Sequence, residues 1–244
     1  MARIILPAMR LPMDIMDRFA LFTVFDMAAV GLLFGLWFII GLWVEHAPKS
    51  KPSTSQLMAS YRKEWMKQMV TREPRVFDAQ ILSALRQGTA FFASTCMIAL
   101  GGTLALIGNA DQLAGVAEDI TAANYPAIVW EIKLVMLALF LTNAFLKFVW
   151  SNRLFGYCAV LMAAVPNDPD DDKAYHRASQ AAEINITAAK GFNRGLRSIY
   201  FALASAAWLL GPLALALAAC VTFIVVWRRE FASNSRKILL DGYV

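Results

Sequence analysis

Asp26, Glu131, Lys133, Asn143 and Lys147 lie inside long apolar runs, where polar chemistry is least expected. An ionisable group within a bilayer core is costly enough to mark function by default. Asp26 lies in the run that ends at Val44, and the other four lie in IVWEIKLVMLALFLTNAFLKFVW, Ile128 to Trp150. Asp26 and Lys133 stand 18 and 17 residues before the inner ends of their runs, which as helices places them at similar depth. They are expected to form an intramembrane pair that fixes helix register or, alternatively, binds an ion or proton. Glu131 competes for Lys133, but i, i+2 spacing sets the two on different faces of a helix. Lys147 follows Asn143 by four residues on one face and is placed to snorkel to headgroups at the inner surface.

The elements that must position these groups are membrane helices. The chain of 244 residues is 59% hydrophobic and 17% charged, against about 45–50% and about 25% in soluble domains. A bilayer core needs about 20 mostly apolar residues in helical form. Four segments satisfy this: Phe19 to Val44, Thr89 to Ile107, Ile128 to Trp150 and Tyr200 to Trp227. The fold class expected is a single all-α membrane domain with four transmembrane helices. In the first, Gly31 and Gly35 have the spacing that lets two helix backbones approach closely. In the fourth, Pro212 removes an amide hydrogen beside Gly211, which predicts a kink that leaves the Trp208 carbonyl available to a neighbour or water.

Two long basic loops separate these segments. In the first, Ser53 and Gln56 have capping-box spacing, and Leu57, Tyr61 and Trp65 recur every four residues. A surface helix is predicted over 54–72, with Arg62, Lys63 and Lys67 on anionic headgroups or, alternatively, packed on its own domain. The second loop adds Arg153 as a further headgroup candidate and predicts a helix over 173–190. About fourteen Lys and Arg lie in the two loops against about seven in the N-terminus, short loop and tail together, so the loops are expected inside and both termini outside.

The net charge of +5 is explained by these loops, and no nucleic-acid motif accompanies it. Cys96, Cys158 and Cys220 are too scattered for a disulfide or metal framework. His46 and His176 lie outside the spans, which argues against a bis-histidine haem in the bilayer. Asp168, Asp170 and Asp172 alternate as calcium ligands do, but Lys173 replaces the required glycine. No cofactor, metal or catalytic constellation is expected.

The stretches ALRQGTAFFASTCMIALGG, EIKLVMLALFLTNAFLKFVWSNRLFGY and FNRGLRSIYFALASAAWLLGP resemble the bacterial and plant membrane-protein family known as domain of unknown function 599. Ser94, Lys133, Arg153, Asn193, Arg197, Tyr200, Trp208 and Pro212 fall within them. The resemblance implies the four-helix reading and no established activity. The function expected is that of an integral inner-membrane scaffold or accessory subunit, forming a homo-oligomer or docking on another membrane complex. An oligomeric transporter using Lys133 and Asp26 is the alternative, and a lipid-modifying enzyme the third.

Overall fold

A computed structural model describes residues 21–112, 115 and 125–241. Among these the chain is helical throughout, with no strand. The elements are α1 (Val24–Glu45), α2 (Thr54–Val70), α3 (Val76–Gly108), α4 (Ala127–Ala163), α5 (Ala174–Ala206), a 3-10 turn (Ala207–Leu210), α6 (Pro212–Phe231) and α7 (Asn234–Asp241). Four helices are long and apolar enough to cross a membrane: α1, α3, α4 and the last, beginning at Pro212. This is a multi-pass membrane protein.

Local signals set the helix starts. Thr23 and Asp26 form a reciprocal capping box at α1, and Ser53 and Gln56 form the expected one at α2. Ser53 Oγ also donates to the Val44 carbonyl at 2.9 Å, tying the start of α2 to the end of α1. Pro212 occupies the first turn of α6, where its missing N–H leaves no bond unmade.

The bundle has two tiers. In the apolar tier, Leu33, Ile40, Phe140, Phe201 and Leu215 form a buried core between α1, α4, α5 and α6. Beyond it α3, α4 and α5 continue without a break and pack with α2 around Met66, Leu82, Phe155, Cys158, Met162 and Ala178. The helix expected over 173–190 is therefore the first half of α5, which runs straight through Gly191 and Gly195. Gly195 is where α5 meets α4 most closely, since a Cβ there would lie 2.8 Å from the Phe148 ring.

The segment Tyr200 to Trp227 differs from expectation. It is not one kinked helix but the closed end of a hairpin. Trp208 bonds to Asp26 at the start of α1, whereas Glu230 bonds to Ser55 beyond the end of α1. Arg229 reaches back to the Tyr200 hydroxyl. Gly211 adopts φ 117°, a conformation foreign to a helix, and its N–H caps the Trp208 carbonyl at 3.0 Å. That carbonyl is thus satisfied locally and not left for a neighbour.

The reversal also moves the C-terminal end. Arg236 Nε donates to the Pro52 carbonyl and Tyr61 to the Leu239 carbonyl, so α7 lies beside the first loop. Residues 21–23 lie with Asp26 at the opposite end of the bundle.

Candidate functional site

The bundle carries polar clusters at both ends. At the loop end, α1 finishes on Glu45, whose carboxylate accepts from Arg194 Nε at 2.8 Å, from a second Arg194 nitrogen, and from Arg197 Nη2 at 2.7 Å. Helix α6 finishes on Glu230, which accepts from the Ser55 N–H at 3.0 Å and Ser55 Oγ at 2.9 Å. Asn193 donates to the same Ser55 oxygen at 3.2 Å. Both carboxylates are therefore already supplied with donors.

These groups edge a cavity of about 520 Å³ between α1, α2, α3 and α5. Its apolar wall includes Val44, Met58, Leu85, Phe155, Ile186 and Phe192, and Arg62, Lys190 and Arg197 supply positive charge. Arg62 donates to Asn185 Oδ1, and the buried Asn185 amide lies 3.5 Å from Cys158 Sγ. Among the described residues no carboxylate lies within 4 Å of the Arg62 guanidinium. Burial holds its pKa below the ordinary arginine value. A half-buried cation with a neutral partner favours an anionic ligand, because its partial desolvation is otherwise uncompensated.

Arg62 thus reaches across to α5 and lines this cavity. The other headgroup candidates, Lys63, Lys67 and Arg153, are exposed: Lys63 pairs with Glu183 at 2.7 Å, and Arg153 donates to the Tyr157 hydroxyl at 2.5 Å. A neighbouring cavity of about 630 Å³ runs between α3 and α4, where Asn152 Oδ1 is buried without a partner. Its Arg75 is committed to the carbonyls of Val70, Val165 and Pro166.

At the opposite end, Asp26 and Lys133 line one cavity of about 140 Å³, together with Trp130, Tyr125, Gly211 and Pro212. They do not form a direct ion pair. Asp26 Oδ2 accepts from the Thr23 N–H at 3.1 Å and Thr23 Oγ1 at 2.6 Å, and Oδ1 accepts from Trp208 Nε1 at 2.7 Å. Lys133 Nζ sits 4.8, 5.5 and 5.9 Å from the ring centroids of Trp130, Tyr125 and Trp208. Trp208 therefore separates the two charges, bonding one and covering the other.

The remaining candidates part company. Glu131 is half-buried and makes no ion pair with Lys133 among the described residues. Asn143 donates to Ser198 Oγ at 2.7 Å and joins α4 to α5. Lys147 lines neither end cavity. Gly31 and Gly35 meet nothing of the described chain within 4 Å of a built Cβ. Periodicity missed Glu45, Asn185, Arg194 and Trp130 as site residues, because their partners are distant in sequence.

A family model described as "Protein of unknown function, DUF599" matches residues 28–235. The chain belongs to the DUF599 family. The match takes in the whole loop-end cavity and, at the other end, Lys133, Trp130 and Trp208; Asp26 lies just ahead of it. No curated protein and no solved structure matches the chain.

Proposed function

We propose that this DUF599 protein is a non-enzymatic membrane protein that binds an anionic amphiphile in the loop-end cavity. The observation that carries the reading is Arg62, a half-buried guanidinium with a neutral hydrogen-bond partner in a cavity walled by apolar side chains. An acidic headgroup would sit at Arg62, within reach of Lys190 and Arg197. Its apolar part would lie along Leu85, Phe155 and Phe192. Between this cavity and the Lys133 end, Leu33, Phe140 and Phe201 are packed and buried, which favours binding over conduction by a single copy.

The test is purification in mild detergent, with co-purifying acidic lipids quantified by mass spectrometry. Arg62→Gln is expected to lower retained acidic lipid several-fold. Lys63→Gln, which removes an exposed partner of Glu183, is expected to leave it unchanged. Equal retention in Arg62→Gln and wild type would refute the reading.

The orientation that fits is loops inside, in a bacterial inner membrane. The hairpin joins Arg228, Arg229, Arg236 and Lys237 to the fourteen cationic residues of the loops, against Arg3, Arg10 and Arg18 ahead of the first helix. On this reading the second half of α5 also crosses the bilayer, giving five passes with the C-terminal end inside. A scaffold role by self-association is the second reading. Gly31 and Gly35 favour it, since they offer a close-approach surface that no other described helix of the chain uses.

A further inference from the structure

The cavity at the Asp26 end is a second, separate site. Lys133 is 5% exposed, and no carboxylate among the described residues lies within 4 Å of its ammonium. Trp130, 2% exposed, lines the same cavity, and its Nε1–H has no acceptor among the described residues. An indole N–H can only donate, and so can an ammonium. The start of α6 reaches the cavity through Gly211 and Pro212, and no side chain caps that helix. The positive end of that helix dipole favours negative charge there. Asp26, the carboxylate among the described lining residues, already accepts three hydrogen bonds.

Donors therefore outnumber free acceptors in a space of about 140 Å³. That volume admits a halide or a small carboxylate and excludes a lipid headgroup with its chains. We propose that this cavity binds a small monovalent anion, held by the Lys133 ammonium and the Trp130 indole N–H, with the rings of Trp130, Tyr125 and Trp208 confining the ammonium. The rings contribute cation–π attraction that holds the Lys133 ammonium in place. An anion would then satisfy the orphaned indole and neutralise the lysine together.

The test is thermal unfolding of the full-length protein in detergent, at constant ionic strength, in sodium chloride, sodium formate and sodium gluconate. A ligand that binds only the folded state raises Tm with its concentration. Chloride or formate is expected to raise Tm by several degrees over gluconate, which is too large for the cavity. Trp130→Phe keeps an aromatic side chain but loses the N–H along with the pyrrole half of the indole, so it is expected to lose most of that anion-specific rise. Lys133→Met is expected to abolish it. A preference for formate over chloride would identify the site as a carboxylate site, and the reverse as a halide site. Equal Tm in all three salts, or a rise undiminished in Trp130→Phe and Lys133→Met, would overturn the proposal.

Discussion

Replacing Gly195 by alanine tests the contact that holds the two ends of the bundle in register. Helices α4 and α5 share the longest interface in the chain, with Asn143 bonded to Ser198 on one side of the contact and Ser151 bonded to the Ala188 carbonyl on the other. Between them a methyl at Gly195 would lie 2.8 Å from Phe148 Cε1 and Cζ. The ring has no room to yield, because it is fully buried with Phe92 at 5.5 Å and Phe192 at 5.4 Å between centroids. Overpacking of this kind costs about 1–3 kcal/mol. Alanine also gains about 1 kcal/mol over glycine in a helix interior, which partly masks the clash. Gly191→Ala supplies the reference, since its methyl would make an ordinary 3.5 Å contact with Ser151 Cβ. The propensity gain is common to both variants, so Gly195→Ala should be less stable than Gly191→Ala by about 1–3 kcal/mol. Unfolding in mixed micelles with increasing SDS, followed by tryptophan fluorescence, measures the difference. Trimming the ring with Phe148→Leu should recover part of the loss in the double variant. Equal midpoints for Gly195→Ala and Gly191→Ala would show that α4 and α5 do not meet as described.

Two further predictions use the same preparation. Glu45→Gln leaves the nearly buried Arg197 without a charged acceptor and should destabilise the protein by about 1–3 kcal/mol; an unchanged SDS midpoint would remove the ion-pair network from the account of the loop end. Gly31→Leu together with Gly35→Leu should leave the monomer as stable as wild type, because both positions face open space within the chain. If those glycines form a self-association surface, the same double variant should weaken the oligomer at least about tenfold by light scattering, or about 1.4 kcal/mol; undiminished association would remove them from the scaffold reading.

Much of the frame was legible in sequence because the responsible signals are local. Apolar runs gave the existence of α1, the upper half of α3 and most of α4, and Ser53 with Gln56 gave the start of α2 to the residue. Depth counting brought Asp26 and Lys133 to one cavity. It could not show that Trp208 stands between them, since that depends on where a helix 182 residues away in sequence turns back. The reach of Arg62 across to α5 was hidden for a related reason. An amphipathic pattern separates a polar from an apolar face, but α2 is covered on more than one side by α5 and the α6 end. A cation on the polar side therefore meets Asn185 and is half-buried.

The treatment of Pro212 illustrates how one local ambiguity decides topology. Proline is compatible with a kink inside a helix and with the first turn of a new one, and a local reading of Pro212 does not choose. Length does. From Gly191 to Phe231 the apolar-rich chain runs for 41 residues, or about 60 Å as helix at 1.5 Å per residue. That is about twice the 30 Å hydrocarbon core. One tilted helix cannot absorb such a length within that core, and the chain instead turns back at Gly211. The Gly-Pro dipeptide, a turn signal, is then a chain reversal. Its consequence reaches the far end of the protein: Glu230 arrives beside Ser55, the basic tail joins the basic loops, and the cavity that holds Arg62 gains a wall it would lack if the chain had continued straight.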